Sequence, residues 1–334
     1  MFREPIGSYM VGVMEMDTNE IGEGKRKRRL PLTFFYPSDE KGRRMPYQSA
    51  WYLEQLKDHK MPSGDVDTHC DREVPLSTKQ ARYPVIVYSH GLDGYTMDST
   101  VLCTDLASLG YIVCSVGHPI GAAMVRYQDN TFASGWRDML GEDKKCSTLK
   151  LIPMLLGSFP IRTAGKREDA FMKYCSQYAT ITRELVPIWQ EDLIAAMDEL
   201  ERLEQESSFF GHHLEICQGF SLIGLSLGGN AAVMTSFADQ RVNSAINLDG
   251  ALWTAMQQPK RRPPILVMCR AINSFSNLGL RANKYQPLTI VKQHGLSHWE
   301  YSDGIYLSDK GKKNPDWAGR VSRERAEICA KFIG

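Results

Sequence analysis

The sequence predicts an α/β fold: a mostly parallel central sheet with flanking helices, one domain over residues 1–334, and an insertion at about 120–181. Three observations carry this expectation. From Tyr83 onward, short apolar runs alternate with helical patterns, as they do when helices connect the strands of a parallel sheet. One of those runs, "GFSLIGL", passes directly into "SLGGNAAVMTSFA", so a strand becomes a helix at a single glycine-flanked serine. Between Ile120 and Ile181 the alternation stops.

In chain order, "SYMVGVMEMD" and "RLPLTFFYP" read as two strands joined by a turn containing Gly22 and Gly24. A polar, irregular segment follows over about 38–82, within which Trp51, Leu53 and Leu56 share one face of a short helix. "YPVIVYSHG" is a buried strand, "DSTVLCTDLASLG" a helix that stops at Gly110, and "YIVCSVGHP" the next strand. In the insertion, "TLKLIPMLLGSFPI" carries Pro153, Gly157 and Pro160, which break any long regular helix. That segment fits a lid or acyl pocket, and equally a helical pair packed on the sheet. Trp189, Leu193, Met197, Leu200 and Leu203 recur at helical spacing and predict a long amphipathic helix. The later strands are "GFSLIGL", "NSAINLD", "PPILVMCR" and "PLTIVKQ"; a closing helix, "RVSRERAEICAKFI", places Val321, Ala326, Ile328 and Phe332 on one side.

Composition narrows the function classes. Hydrophobic residues at 43% and charged residues at 24% are ordinary for a globular protein, and a net charge of +1 gives no global field for nucleic acid or an anionic membrane. The basic clusters at Lys25–Arg29 and Lys260–Arg262 read as solvated turns. The eight cysteines show no CxxC and no zinc spacing, so neither metal nor cofactor is expected, and their scatter favours a reducing compartment. No apolar stretch is long enough for a bilayer span, and "MFREPIGSYMVGVMEMD" lacks the design of a secretory leader. A cytoplasmic location is the expectation.

The chemistry centres on Ser226. A sharp strand-to-helix corner admits only small residues two positions either side, and Gly224 and Gly228 supply them. The hydroxyl then stands alone at the carboxyl edge of the sheet, facing the positive end of a helix. A serine needs a base to take its proton, and the acid and histidine that complete such a corner follow it in that order. Asp249 ends the apolar run "SAINLD" and is the candidate acid, with Asp303 in reserve. Only His294 and His298 lie beyond it; His298, within the loop, is the candidate base, and His294 a loop residue. The backbone N–H groups of Leu227 and of Leu92, in "SHGLDGY", are the candidate oxyanion donors, with Gly91 permitting close approach. His90 in the same loop reads as a buried orienting residue; His212 and His213 precede the corner in an unrelated loop.

These pieces resemble the α/β-hydrolase superfamily, and within it the plasma-type (isoform II) platelet-activating factor acetylhydrolase family and its bacterial dienelactone-hydrolase-like relatives. The resemblance rests on "LPLTFFYPS", "YPVIVYSHGLDGY", "DLASLGYIVCSVGHP", "IGLSLGG", "NLDGALW" and "HWEYSD", spread over about 28–305. It implies Ser226 as nucleophile, Asp249 as acid, His298 as base and the amides of Leu92 and Leu227 as oxyanion hole. Dienelactone hydrolases proper resemble relatives with a cysteine nucleophile, and serine here favours ordinary ester chemistry. One departure stands out: where the family often carries a Glu-His-Arg-like tract after "CSVG", this chain has the mostly apolar "HPIGAAM".

The function expected is cofactor-free hydrolysis of a small carboxylic ester, short-acyl or lipid-like, through an acyl-enzyme. The apolar Leu151, Met154, Leu155 and Phe159 would contact an acyl chain, rest on a lipid interface or pack in the core. A peptidase or amidase and an acyltransferase would use the same three residues. A non-catalytic binding protein of the same fold usually lacks one of them.

Overall fold

A computed structural model of the protein describes residues 2–47, 66–134, 180–252, 261–271 and 287–334, with positions 273, 277 and 280. The expected positions Trp51, Leu53, Leu56, Leu151, Met154, Leu155 and Phe159 lie outside these residues. In chain order the elements are β1 (Met10–Asp17), β2 (Pro31–Ser38), β3 (Arg43–Pro46), β4 (Asp67–Arg72), β5 (Tyr83–Ser89), α1 (Thr100–Ser108), β6 (Ile112–Val116), β7 (Met124–Arg126) and β8 (Phe132–Ser134). There follow α2 (Thr180–Glu206), β9 (Leu214–Glu215), β10 (Phe220–Leu225), α3 (Leu227–Ala238), β11 (Val242–Leu248), β12 (Ile265–Cys269), β13 (Leu288–Lys292) and α4 (Pro315–Ile333).

One sheet runs β13-β12-β11-β10-β5-β6-β2-β1-β4-β3, with β9 alongside β5. From β13 to β6 every pairing is parallel; β2 joins antiparallel to β6, and β1 pairs antiparallel with β2 over eight residues. The turn between β1 and β2 uses Gly22 and Gly24 at φ of +73° and +55°, as expected of glycines in a tight reversal.

The central strands are buried on both faces and their side chains alternate between two cores. Val85 and Val87 of β5, Ile112 and Cys114 of β6 and Leu222 of β10 face α2 and α3. Ile86 and Tyr88, Val113, and Ile223 and Leu225 face α1 and α4. This period of two within continuous apolar runs is what a parallel sheet covered on both sides demands. On α2, Trp189, Leu193, Met197, Leu200 and Leu203 are all buried, as their spacing predicts.

Four local expectations change. On α4 the fully buried stripe is Ala318, Ser322, Arg325, Ala326 and Cys329, while Val321, Ile328 and Phe332 are only half-buried. Arg325 lies on that stripe because its guanidinium donates to the carbonyls of Glu300 and Tyr301 at 3.0 and 2.9 Å. In the first basic cluster Lys25 to Lys27 are exposed, but Arg28 is buried and paired with Asp192 at 2.6 Å. In the second, Arg261 donates to the carbonyls of Ser236, Asp239 and Val242, closing the carboxyl end of α3. Finally, residues 124–134, where the alternation stops, form a β7–β8 hairpin that no local pattern announced. No helix among the described residues is long and apolar enough to cross a membrane.

Candidate active site

Because β5, β10, β11 and β12 are parallel neighbours, the residues that follow them emerge at one edge: His90, Ser226, Asp249 and Arg270. At the β10–α3 corner Ser226 takes φ 55° and ψ −115°, a conformation glycine prefers. Its N–H donates to the Leu248 carbonyl at 2.9 Å, tying the corner to β11. The flanking glycines are required by contact. A Cβ on Gly224 would stand 2.1 Å from the Gly228 carbonyl oxygen, and one on Gly228 2.3 and 2.4 Å from the carbonyl oxygens of Ser89 and His90.

Three side chains form a line. His298 Nε2 is 2.8 Å from Ser226 Oγ, and His298 Nδ1 is 2.7 Å from Asp249 Oδ2. The geometry suits the Ser226 hydroxyl donating to Nε2 while Nδ1–H donates to the carboxylate. Asp249 is completely buried, whereas the His298 side chain is 43% exposed and so open to a ligand. The loop bearing His298 is held from below: Arg325 grips the short 3-10 turn Trp299–Tyr301, and Glu300 accepts from the Ser297 N–H at 2.7 Å.

Asp249 has a further partner that the sequence reading missed. Arg270 donates its backbone N–H to Oδ1 at 2.8 Å and its Nε–H to Oδ2 at 2.6 Å. Both carboxylate oxygens are therefore fixed in direction before His298 is counted. The available signal was position: Arg270 ends "PPILVMCR", the strand beside the one that ends in Asp249. Around the same turn, Asn247 Oδ1 accepts from the Gly250 N–H at 2.8 Å and Asn273 Nδ2 donates to the Asp249 carbonyl at 2.8 Å. Asp249 itself sits at φ 50°.

The other candidates separate cleanly. Asp303, the reserve acid, is buried away from His298 and accepts from the N–H groups of Thr100 and Val101 at the start of α1, at 2.7 and 3.0 Å. Burial pushes its carboxyl well above the usual range, partly opposed by those donors. His294 is exposed on the loop after β13. His213 contacts the Ala81 carbonyl at 3.0 Å.

Leu227 is the first residue of α3, where a helix N–H has no partner within the helix. Gly91 lies against Ser226, a Cβ there standing 3.5 Å from the serine Cβ, and Leu92 is the next residue along the chain. His90 is fully buried; its Nδ1–H donates to the Gly91 carbonyl at 2.7 Å and its Nε2 accepts from the His118 N–H at 3.1 Å. Burial lowers its imidazole well below the usual histidine range, with His118 adding to the effect. Among the described residues, no group of three or more His, Cys, Asp or Glu is placed to hold a metal ion. A cavity of about 570 Å³ beside β1, lined in part by Arg43, Arg72 and Arg126, contains none of the residues at the corner.

The sheet order and the serine corner are those of an α/β-hydrolase fold, and a solved ferulic acid esterase from Streptomyces cinnamoneus has the same fold. It superposes with a TM-score of 0.68 at 19% identity, covering 99% of this chain and 91% of its own. Within that class, residues 1–136 match the family platelet-activating factor acetylhydrolase, isoform II. The platelet-activating factor acetylhydrolases of Bos taurus and Canis lupus familiaris are each 26% identical, over 191 and 208 residues. Those alignments cover 55% and 59% of this chain but only 38% and 43% of the relatives. The resemblance in the sequence therefore holds, and the family match includes Leu92 but stops before Ser226.

Proposed function

We propose that the protein is a serine hydrolase of carboxylic esters. The observation that carries this reading is the hydrogen-bonded line from Ser226 through His298 to Asp249 at a strained corner. The similarity to platelet-activating factor acetylhydrolases supports a carboxylic-ester substrate, short-acyl or lipid-like. We take the chain as one hydrolase domain.

In this mechanism His298 Nε2 takes the Ser226 proton as Oγ bonds to the carbonyl carbon. Asp249, held by Arg270, keeps the imidazole oriented and offsets its new charge. The negative oxygen of the tetrahedral intermediate accepts from the N–H groups of Leu227 and Leu92. The C–O bond to the leaving alcohol then breaks as His298 returns the proton to that alcohol, leaving Ser226 acylated. Water attacks the acyl carbon, gives its proton to His298, and the acid leaves as Oγ recovers the proton. Peptidase, amidase and acyltransferase readings share these steps, and a panel of esters, amides and acceptor alcohols separates them.

The test is intact mass after incubation with a fluorophosphonate. A single adduct is expected on the wild type, none on Ser226→Ala, and strongly slowed labelling on Asp249→Asn and His298→Ala but not on His294→Ala. A folded wild type that takes no adduct would favour a non-catalytic binding protein.

A further inference from the structure

A second serine–histidine–aspartate line lies inside the protein, where no ligand reaches it. Ser89 Oγ is 2.8 Å from His118 Nε2, and His118 Nδ1 is 2.8 Å from Asp192 Oδ2. All three residues are fully buried. Arg28 closes the far end, its Nε–H donating to Asp192 Oδ1 at 2.6 Å and its terminal nitrogen to the Ile188 carbonyl at 3.2 Å. Trp189 stacks on the His118 ring, centroids 4.0 Å apart and planes within 8°. Burial lowers the His118 imidazole, with Asp192 opposing, so a neutral ring donating at Nδ1 and accepting at Nε2 satisfies every partner.

The neighbours of this line show what it holds. Ser89 ends β5 and directly precedes His90, Gly91 and Leu92. The His118 N–H donates to His90, whose other nitrogen donates to the Gly91 carbonyl. Two residues on, the Asp93 N–H donates to the Gly121 carbonyl at 2.8 Å, and the Trp189 indole N–H to the Ile120 carbonyl at 2.6 Å. The backbone on both sides of Leu92 is therefore fastened to the 118–121 turn, and that turn is fastened to α2 through His118, Asp192 and Trp189.

We propose that His118, with Ser89, Asp192 and Arg28, is a positioning relay that sets the Leu92 amide for the oxyanion. The inference rests on the hydrolase reading above, and it gives the chain two lines of the same composition with different tasks. One, at the mouth, moves a proton; the other, enclosed, holds fixed tautomers and aims a backbone donor. A donor displaced by a fraction of an ångström still binds substrate but loses its grip on the transition state.

The experiment compares a p-nitrophenyl ester with its thionoester, whose developing negative sulfur uses oxyanion donors poorly. Ser89→Ala and Asp192→Asn are measured beside the wild type, with active sites counted by fluorophosphonate. Ser89→Ala, the smaller change, keeps the test alive if Asp192→Asn fails to fold. Expected are a roughly tenfold to hundredfold fall in kcat per active site, KM within about twofold, and a several-fold fall in the oxoester-to-thionoester ratio. An unchanged ratio, with both substrates slowed only as the active fraction falls, would make the relay purely structural and overturn the proposal. An adduct on Ser89 in Ser226→Ala would overturn it differently, by making Ser89 a nucleophile. Absence of adduct and turnover in the wild type would instead remove the hydrolase reading itself, and this inference with it.

Discussion

Close approach of α3 to the end of β5 makes Gly228→Ala an informative single substitution. The added methyl would meet the Ser89 carbonyl oxygen at 2.3 Å, the His90 carbonyl oxygen at 2.4 Å and the Ser89 carbonyl carbon at 2.7 Å. All three are main-chain atoms, so no side chain can swing aside; α3 and the end of β5 must part by roughly 1 Å to restore ordinary contact. Overpacking of that kind costs about 1–3 kcal/mol, which is roughly 1–4 °C in Tm for a chain of this size. The kinetic consequence is larger, because Leu227 rides on α3 and Leu92 on the loop after β5. Separating those two amides by such a distance lowers kcat on the order of 100-fold. Gly319→Ala is the matched control: its methyl would find nothing nearer than Arg3 Cδ at 3.7 Å, in the interior of α4. Replacing a helix-interior glycine there is expected to stabilise by about 0.5–1 kcal/mol with kinetics unchanged. Thermal melts and steady-state kinetics on a p-nitrophenyl ester read both variants. A Gly228→Ala protein with wild-type Tm and kcat would refute the argument that close approach at this corner assembles the site.

Arg270→Ala leaves the residue-270 backbone N–H on Asp249 but removes the Nε donor; kcat is expected to fall about tenfold, equivalent to about 1.4 kcal/mol, with KM within about twofold. Unchanged kcat in the same assay would show that the clamp on the carboxylate is dispensable. Asp98 concerns stability: burial raises its carboxyl to about 7, partly opposed by donors from Ser99, Tyr88 and Gly91. The folded chain thus keeps a proton that the unfolded chain releases near the ordinary aspartate value, so this contribution is lost as pH rises through about 7. Asp98→Asn should therefore gain on the wild type between pH 5 and 8, by on the order of 1–4 kcal/mol. Urea melts at both pH values test this, and a stability gap independent of pH would rule it out.

Most of the sheet was legible because a parallel strand buried on both faces announces itself as an apolar run, as β5, β6 and β10 to β12 do; β13, at the sheet edge, is half-exposed. Ser226, Asp249 and His298 were legible for a related reason: each follows a recognisable strand, and parallel strands deliver their ends to one edge. What escaped were pairings between distant positions. Arg28 looked like one member of a basic turn and His118 like the head of an apolar tract, while Asp192 drew no reading at all. Their contacts join residues 74 and 164 positions apart, separations at which no local period reports a partner. Asp192 did carry a faint mark, since it lies three residues after Trp189 on the face that the apolar spacing assigns to the core.

The backbone at Ser226 sets activity against durability at one address. At φ 55° glycine is the comfortable residue and serine the strained one, by roughly 1–2 kcal/mol. A lineage selected only to stay folded would drift toward glycine there and lose its hydroxyl early. Directed evolution for heat resistance with no turnover screen faces the same gradient at this serine.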